Sequence, residues 1–100
     1  MMRVRYSDGA KKDVREIGRW YEKKRTGHSR TFRNELKRLI VRLGANPMLW
    51  AEDERYPGVR ICEMDLFPYL VYYSVTGEEV AILAVIHSSR DSDSFIDRFN

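Results

Sequence analysis

Seven consecutive apolar residues, Val80-Ala81-Ile82-Leu83-Ala84-Val85-Ile86, constrain this chain more than any other feature. The run is far short of the roughly 20 residues a helix needs to cross a bilayer. As a strand it is apolar on both faces, and both must be covered. It is therefore expected at the centre of a sheet, as a strand over 79–87. Residues 69–75 are its hairpin partner, joined through Thr76-Gly77-Glu78. On its other side Arg3–Tyr6, which alternates polar and apolar residues, reads as a short strand. A strand over 59–65 mixes polar and apolar side chains on both faces, the pattern of an edge.

Two helical stripes supply the cover. Ala10, Val14, Ile17 and Tyr21 recur at helical spacing over about 9–25, with Ser7 and Asp8 offering N-cap oxygens. Phe32, Leu36, Leu39 or Ile40, and Leu43 repeat that spacing in a second helix beginning at His28 or Ser29. Gly44 is read as its end and Pro47 as a block to resumption. The link of about four residues makes an antiparallel helical hairpin. A loop carrying the acidic run Glu52-Asp53-Glu54, read as solvated, follows over 46–58, and a short terminal helix is expected over 92–99. The expected class is α+β in the order β-α-α-β-β-β-α: an antiparallel four-stranded sheet with a helical hairpin on one face.

The 100 residues suffice for one domain spanning 1–100, and 18 Lys+Arg against 15 Asp+Glu leave a net charge of +3. So small an excess is compatible with nucleic acid and equally with an acidic protein partner, and it disfavours a stand-alone nucleic-acid-binding module. Met1-Met2-Arg3-Val4-Arg5 lacks the apolar stretch of a signal peptide, and Cys62 is alone, so a reducing cytoplasmic setting is expected and no membrane partner. Two His and one Cys without short spacing make no metal site, and no motif calls for a cofactor.

Ionisable residues gather at the exit of the last strand, His87-Ser88-Ser89-Arg90-Asp91. An imidazole can transfer a proton and a guanidinium can grip a phosphate, so His87 and Arg90 supply part of what RNA cleavage through a 2′-hydroxyl needs. A structural ion pair of Arg90 with Asp91 or Glu63, or contact with a partner, uses the same residues. His28, in the link between the helices and far from His87 in sequence, is expected at the surface. Cys62 reads as a small core residue. Arg30, Arg33 and Lys37 make one side of the second helix basic, either as a solvated face or as a docking surface for an acidic partner or a phosphate backbone. Tyr73 is assigned to the core; Tyr72 is the candidate for exposure and base stacking.

Over its whole length the chain resembles the RelE/ParE superfamily of toxins from type II toxin–antitoxin modules. The resemblance is carried by Ile17-Gly18-Arg19-Trp20-Tyr21-Glu22, Asn46-Pro47, Tyr56-Pro57-Gly58-Val59-Arg60, Phe67-Pro68-Tyr69-Leu70-Val71-Tyr72-Tyr73 and His87-Ser88-Ser89-Arg90-Asp91. It implies the same element order and a cognate antitoxin as partner. RelE-like members cleave mRNA in the ribosome; ParE-like members inhibit DNA gyrase. The ribonucleases carry lysines on the strand that here reads Val59-Arg60-Ile61-Cys62-Glu63-Met64, an Arg where this chain has Tyr69-Leu70, and a Tyr near the position of Phe95. Arg90 matches a catalytic basic residue of that set, with Arg60 a second candidate. The resemblance thus favours a gyrase inhibitor, with the ribosome-dependent mRNA endonuclease as the alternative.

Overall fold

Ser7 is the joint on which the architecture turns. In the computed structural model, which describes residues 1–90, β1 (Arg3–Tyr6) ends opposite the middle of β4 (Glu79–His87), with Tyr6 level with Ile82. Ser7 then donates its N–H to the Ile82 carbonyl (2.9 Å) and its hydroxyl to the Leu83 carbonyl (3.2 Å). The same hydroxyl oxygen accepts the Ala10 N–H at 3.1 Å, so α1 (Asp8–Lys24) starts on the capped residue. The helix continues along the edge of β4 that β1 leaves open, where the Asp13 carboxylate accepts the Val85 N–H at 2.9 Å.

The return helix, α2 (His28–Ala45), begins at Gly27, whose φ of +83° is a left-handed value that glycine adopts without strain. It ends beside the N-terminus, where Gly44 accepts the Met2 N–H at 2.9 Å. Gly44 lies inside the helix rather than terminating it. Its lack of a side chain serves a close approach, since a Cβ there would sit 3.0 Å from the Met2 carbonyl oxygen.

β2 (Val59–Glu63), β3 (Tyr69–Thr76) and β4 follow, in the spatial order β1-β4-β3-β2. β4 is central and β2 an edge, as the patterning requires. β2, β3 and β4 are antiparallel, but β1 is parallel to β4, so the sheet is mixed rather than wholly antiparallel. The cause is directional. α1 prolongs β1 instead of reversing it, α2 brings the chain back to its starting end, and two hairpin turns then leave β4 pointing the same way as β1.

The helical stripes bury Ala10, Ile17, Phe32, Leu36, Leu39 and Leu43 against Cys62, Met64, Val71, Tyr73, Val80, Ile82 and Val85 on one face of the sheet. Each large side chain buried this way contributes about 1.5–3 kcal/mol. Between Tyr72–Ala84 and Tyr73–Ile82 the register slips by one, leaving Leu83 as a bulged residue. The bulge switches the phase of β4, so Ala84 and Ile86 join Val59 and Tyr72 on the opposite face. Tyr56, from the loop before β2, packs there too, and Tyr72 is 2% exposed. The expected exposure of Tyr72 is therefore wrong, and its ring offers no stacking surface. Tyr73 is in the core as expected, donating its hydroxyl to the Pro47 carbonyl at 2.8 Å.

The loop before β2 is bound to the sheet rather than simply solvated. Asp53 donates its N–H to the Val59 carbonyl (2.7 Å), and Glu52 forms a bridge with Arg60. The Asp53 carboxylate, with its side chain 6% exposed, grips the Arg55 guanidinium. This charge-assisted bond is the main reason its pKa falls below the ordinary value. The terminal helix expected over 92–99 lies outside the described residues.

Candidate functional site

The exit of β4 is folded back on itself. Ser88 donates its N–H to the Pro68 carbonyl (2.8 Å) and Arg90 its N–H to the His87 carbonyl (3.0 Å), so His87 and Arg90 flank one tight turn with exposed side chains. The Ser89 N–H points at His87 Nδ1 (3.1 Å), and the Ser89 hydroxyl lies 2.7 Å from the same nitrogen. A backbone N–H can only donate, so Nδ1 is the acceptor and the neutral ring carries its proton on Nε2.

The His87 ring stands edge-on to Tyr69, with centroids 5.3 Å apart, and Tyr69 in turn meets Tyr21 edge-on at 6.4 Å. Burial first, and then a hydrogen bond with Tyr21, push the Tyr69 phenol well above its ordinary range. On the far side of Tyr21, His28 stacks at 6.2 Å. The two histidines, 59 residues apart in sequence, therefore border one open cleft of about 830 Å³, together with Trp20, Lys24 and Arg25. Their distance in sequence gave no sign of this. The missed signal is the position of Tyr21 at the end of the α1 stripe, which carries the buried face up to the turn that holds His28.

Arg60 is not at this site. Its guanidinium donates to the Trp50 carbonyl at 2.6 Å and lies 3.8 Å from a Glu52 carboxylate oxygen, with the side chain 20% exposed. It fastens the loop to β2. Cys62 is fully buried, and desolvation pushes its thiol up to about 12, which removes it as a nucleophile near neutrality. Among the described residues no group of three or more His, Cys, Asp or Glu is placed to hold a metal ion.

Arg30, Arg33 and Lys37 do come together, as their helical spacing requires, along one side of the hairpin. Arg33 and Lys37 also reach the crevice between the helices, where Lys11 and Arg15 of α1 face them across Val14 and Leu36. The helical hairpin thus presents a cationic surface, and the turn after β4 brings Arg90 beside the His87 ring.

This arrangement, a helical hairpin laid on a four-stranded mixed sheet, is the fold of toxins from toxin–antitoxin systems. It superposes on a chain described as the chromosomal ParDE TA system from P. aeruginosa with a TM-score of 0.74 at 21% identity, covering 87% of this chain and 96% of that one. The isolated E. coli RelE toxin matches with a TM-score of 0.66 at 18% identity, over 94% of this chain and 92% of that one. Residues 4–92 match the family model of the ParE toxin of the type II toxin–antitoxin system parDE, and the chain belongs to that family. Among curated proteins, no sequence matches it.

Proposed function

We propose that the chain acts in the cytoplasm as a gyrase-inhibiting toxin and is held inactive by a cognate antitoxin. Membership of the ParE toxin family carries this reading. The chemistry of β2 supports it. That strand is where ribonuclease members of the superfamily keep their lysines, yet here it offers one guanidinium bound to Trp50 and Glu52 and one buried, protonated thiol. Target contact is assigned to Arg90 and His87 at the turn after β4. Antitoxin contact is assigned to Arg30, Arg33 and Lys37 on the hairpin, whose charge suits an acidic segment that orders on binding.

Induction in a bacterial host, scoring plasmid supercoiling and mRNA integrity side by side, tests the reading. Growth arrest with relaxed plasmid and intact mRNA is expected, relieved by co-expressing the cognate antitoxin. Arg90→Ala is expected to reduce toxicity while the thermal midpoint moves by less than about 8 °C, because an exposed residue of this kind contributes at most about 1 kcal/mol to folding.

One observation favours the alternative, a ribosome-dependent mRNA endonuclease. His87 presents its Nε2 proton on an exposed ring in the same turn as Arg90. Cleavage within translated codons on induction supports that reading over gyrase inhibition.

A further inference from the structure

Gly18 sits inside α1, buried, and its backbone is not left-handed. A helix interior does not need glycine and is more stable with alanine. Gly27, Gly58 and Gly77 have positive φ and open space around them, so conformation explains those three. At Gly18 the reason is contact. A Cβ there would collide with Arg33 Nη2 and lie 3.0 Å from Cζ and 3.4 Å from Nε. The guanidinium of α2 therefore lies against the bare backbone of α1.

Arg33 Nε is 3.4 Å from the hydroxyl of Ser29, a buried residue one turn earlier. No carboxylate pairs with Arg33 among the described residues. On one side of it, Glu22 and Arg30 border a shallow depression. On the other, a groove of about 310 Å³ has Tyr6, Val14 and Leu36 for its floor and Lys11, Arg15 and Lys37 around Arg33 on its rim. No acidic residue lines that groove. An apolar floor beneath an all-cationic rim complements a helix with an apolar stripe flanked by carboxylates. A guanidinium resting on the Gly18 backbone and bonded to Ser29 has less freedom to lose on gripping a carboxylate with two parallel bonds.

We infer that Gly18 is a specificity-determining residue: it seats Arg33 as the carboxylate receptor of this groove, for an acidic amphipathic segment of the partner. The inference rests on the reading of a toxin neutralised by a partner, and names where and by what chemistry that partner is gripped. Gly18 is a positioning residue that acts through Arg33.

Calorimetric titration of the full chain with a synthetic acidic amphipathic helical peptide of about 18 residues, long enough to sustain a helix, tests it. The same peptide with every Glu replaced by Gln is the control. The parent is expected to bind the acidic peptide and not the Gln version. Gly18→Ala should weaken binding roughly tenfold or more, the size of a lost charge-assisted bond, with a thermal midpoint equal to or above the parent's. In an Arg33→Gln background, Gly18→Ala should cost nothing further. Gly18→Ala binding as tightly as the parent overturns the proposal, as does an equal loss in the Arg33→Gln background. A parent that ignores the acidic peptide overturns the groove itself. Growth rescue by the cognate antitoxin reports separately on the toxin reading, so rescue beside a failed titration rejects the groove alone.

Discussion

Arg60 on β2 and Arg33 on α2 carry the same guanidinium into opposite surroundings. Arg60 lies beside a loop whose backbone offers the Trp50 carbonyl and whose acidic run offers Glu52, and it is tied to both. Arg55, on the same side, is bound to Asp53. Arg33 lies on a helix, where the carbonyls are already taken by the helical ladder, and its nearest polar partner is a serine hydroxyl. Arg60, at a sheet edge, finds acceptors in the adjoining loop and becomes structural; Arg33, on a helix face, pairs with no carboxylate among the described residues. The cations of the loop therefore help hold the fold, whereas the contacts proposed with other molecules fall on the exposed cations of the hairpin and on the β4 turn.

This contrast breaks most readily at alkaline pH, which acts on the sheet. The Cys62 thiol and the Tyr73 phenol are both pushed up to about 12 by burial, from ordinary values of 9.0 and 10.0. Tyr69 and Tyr72 move in the same direction. The unfolded chain releases these protons at lower pH than the folded chain. Their contribution is thus complete below about pH 9 and is lost as pH rises toward about 12. Thermal midpoints that fall over that window, with the Tyr73 phenol ionising together with unfolding, are expected. Tyr73 ionising while the fold persists contradicts the burial argument.

Tyr73→Ala is the next largest effect. It removes a fully buried ring and the bond that holds Pro47, at a cost of about 3–5 kcal/mol in denaturant unfolding. Arg60→Ala should cost about 1.5–3 kcal/mol, as loss of a hydrogen bond from a charged donor, and should expose the loop before β2 to proteolysis first. Smallest of all, Arg30→Ala on the hairpin should change stability by no more than about 0.5 kcal/mol. An Arg30→Ala variant as destabilised as Arg60→Ala erases the distinction between the two regions.

The part of the fold written as side-chain pattern was legible in the chain. The apolar run at 80–86 announced a central strand, and the stripes beginning at Ala10 and Phe32 announced two helices on one face. Features set by backbone direction or by contacts distant in sequence were not. Nothing local shows that α1 prolongs β1, so the parallel pairing of β1 with β4 escaped. Gly44 looked like a helix stop because glycine commonly is one; its true neighbour, Met2, is 42 residues away. Strict alternation placed Tyr72 correctly on the face opposite Tyr73, but it could not reveal that Tyr56 and the bulge at Leu83 close that face. At the site, the cations of α2 were readable from helical spacing. The meeting of His28 with His87 was not, since it depends on Tyr21 and Tyr69 lying between them.

The central proposal, a gyrase inhibitor on a fold it shares with the RelE toxin, is tested most directly by titrating the purified chain into an ATP-dependent supercoiling reaction. A parallel sample receives translating ribosomes on a defined mRNA. The account predicts that supercoiling stops while the mRNA stays intact. Undisturbed supercoiling beside mRNA cut within translated codons, with cutting abolished by Arg90→Ala, would contradict it.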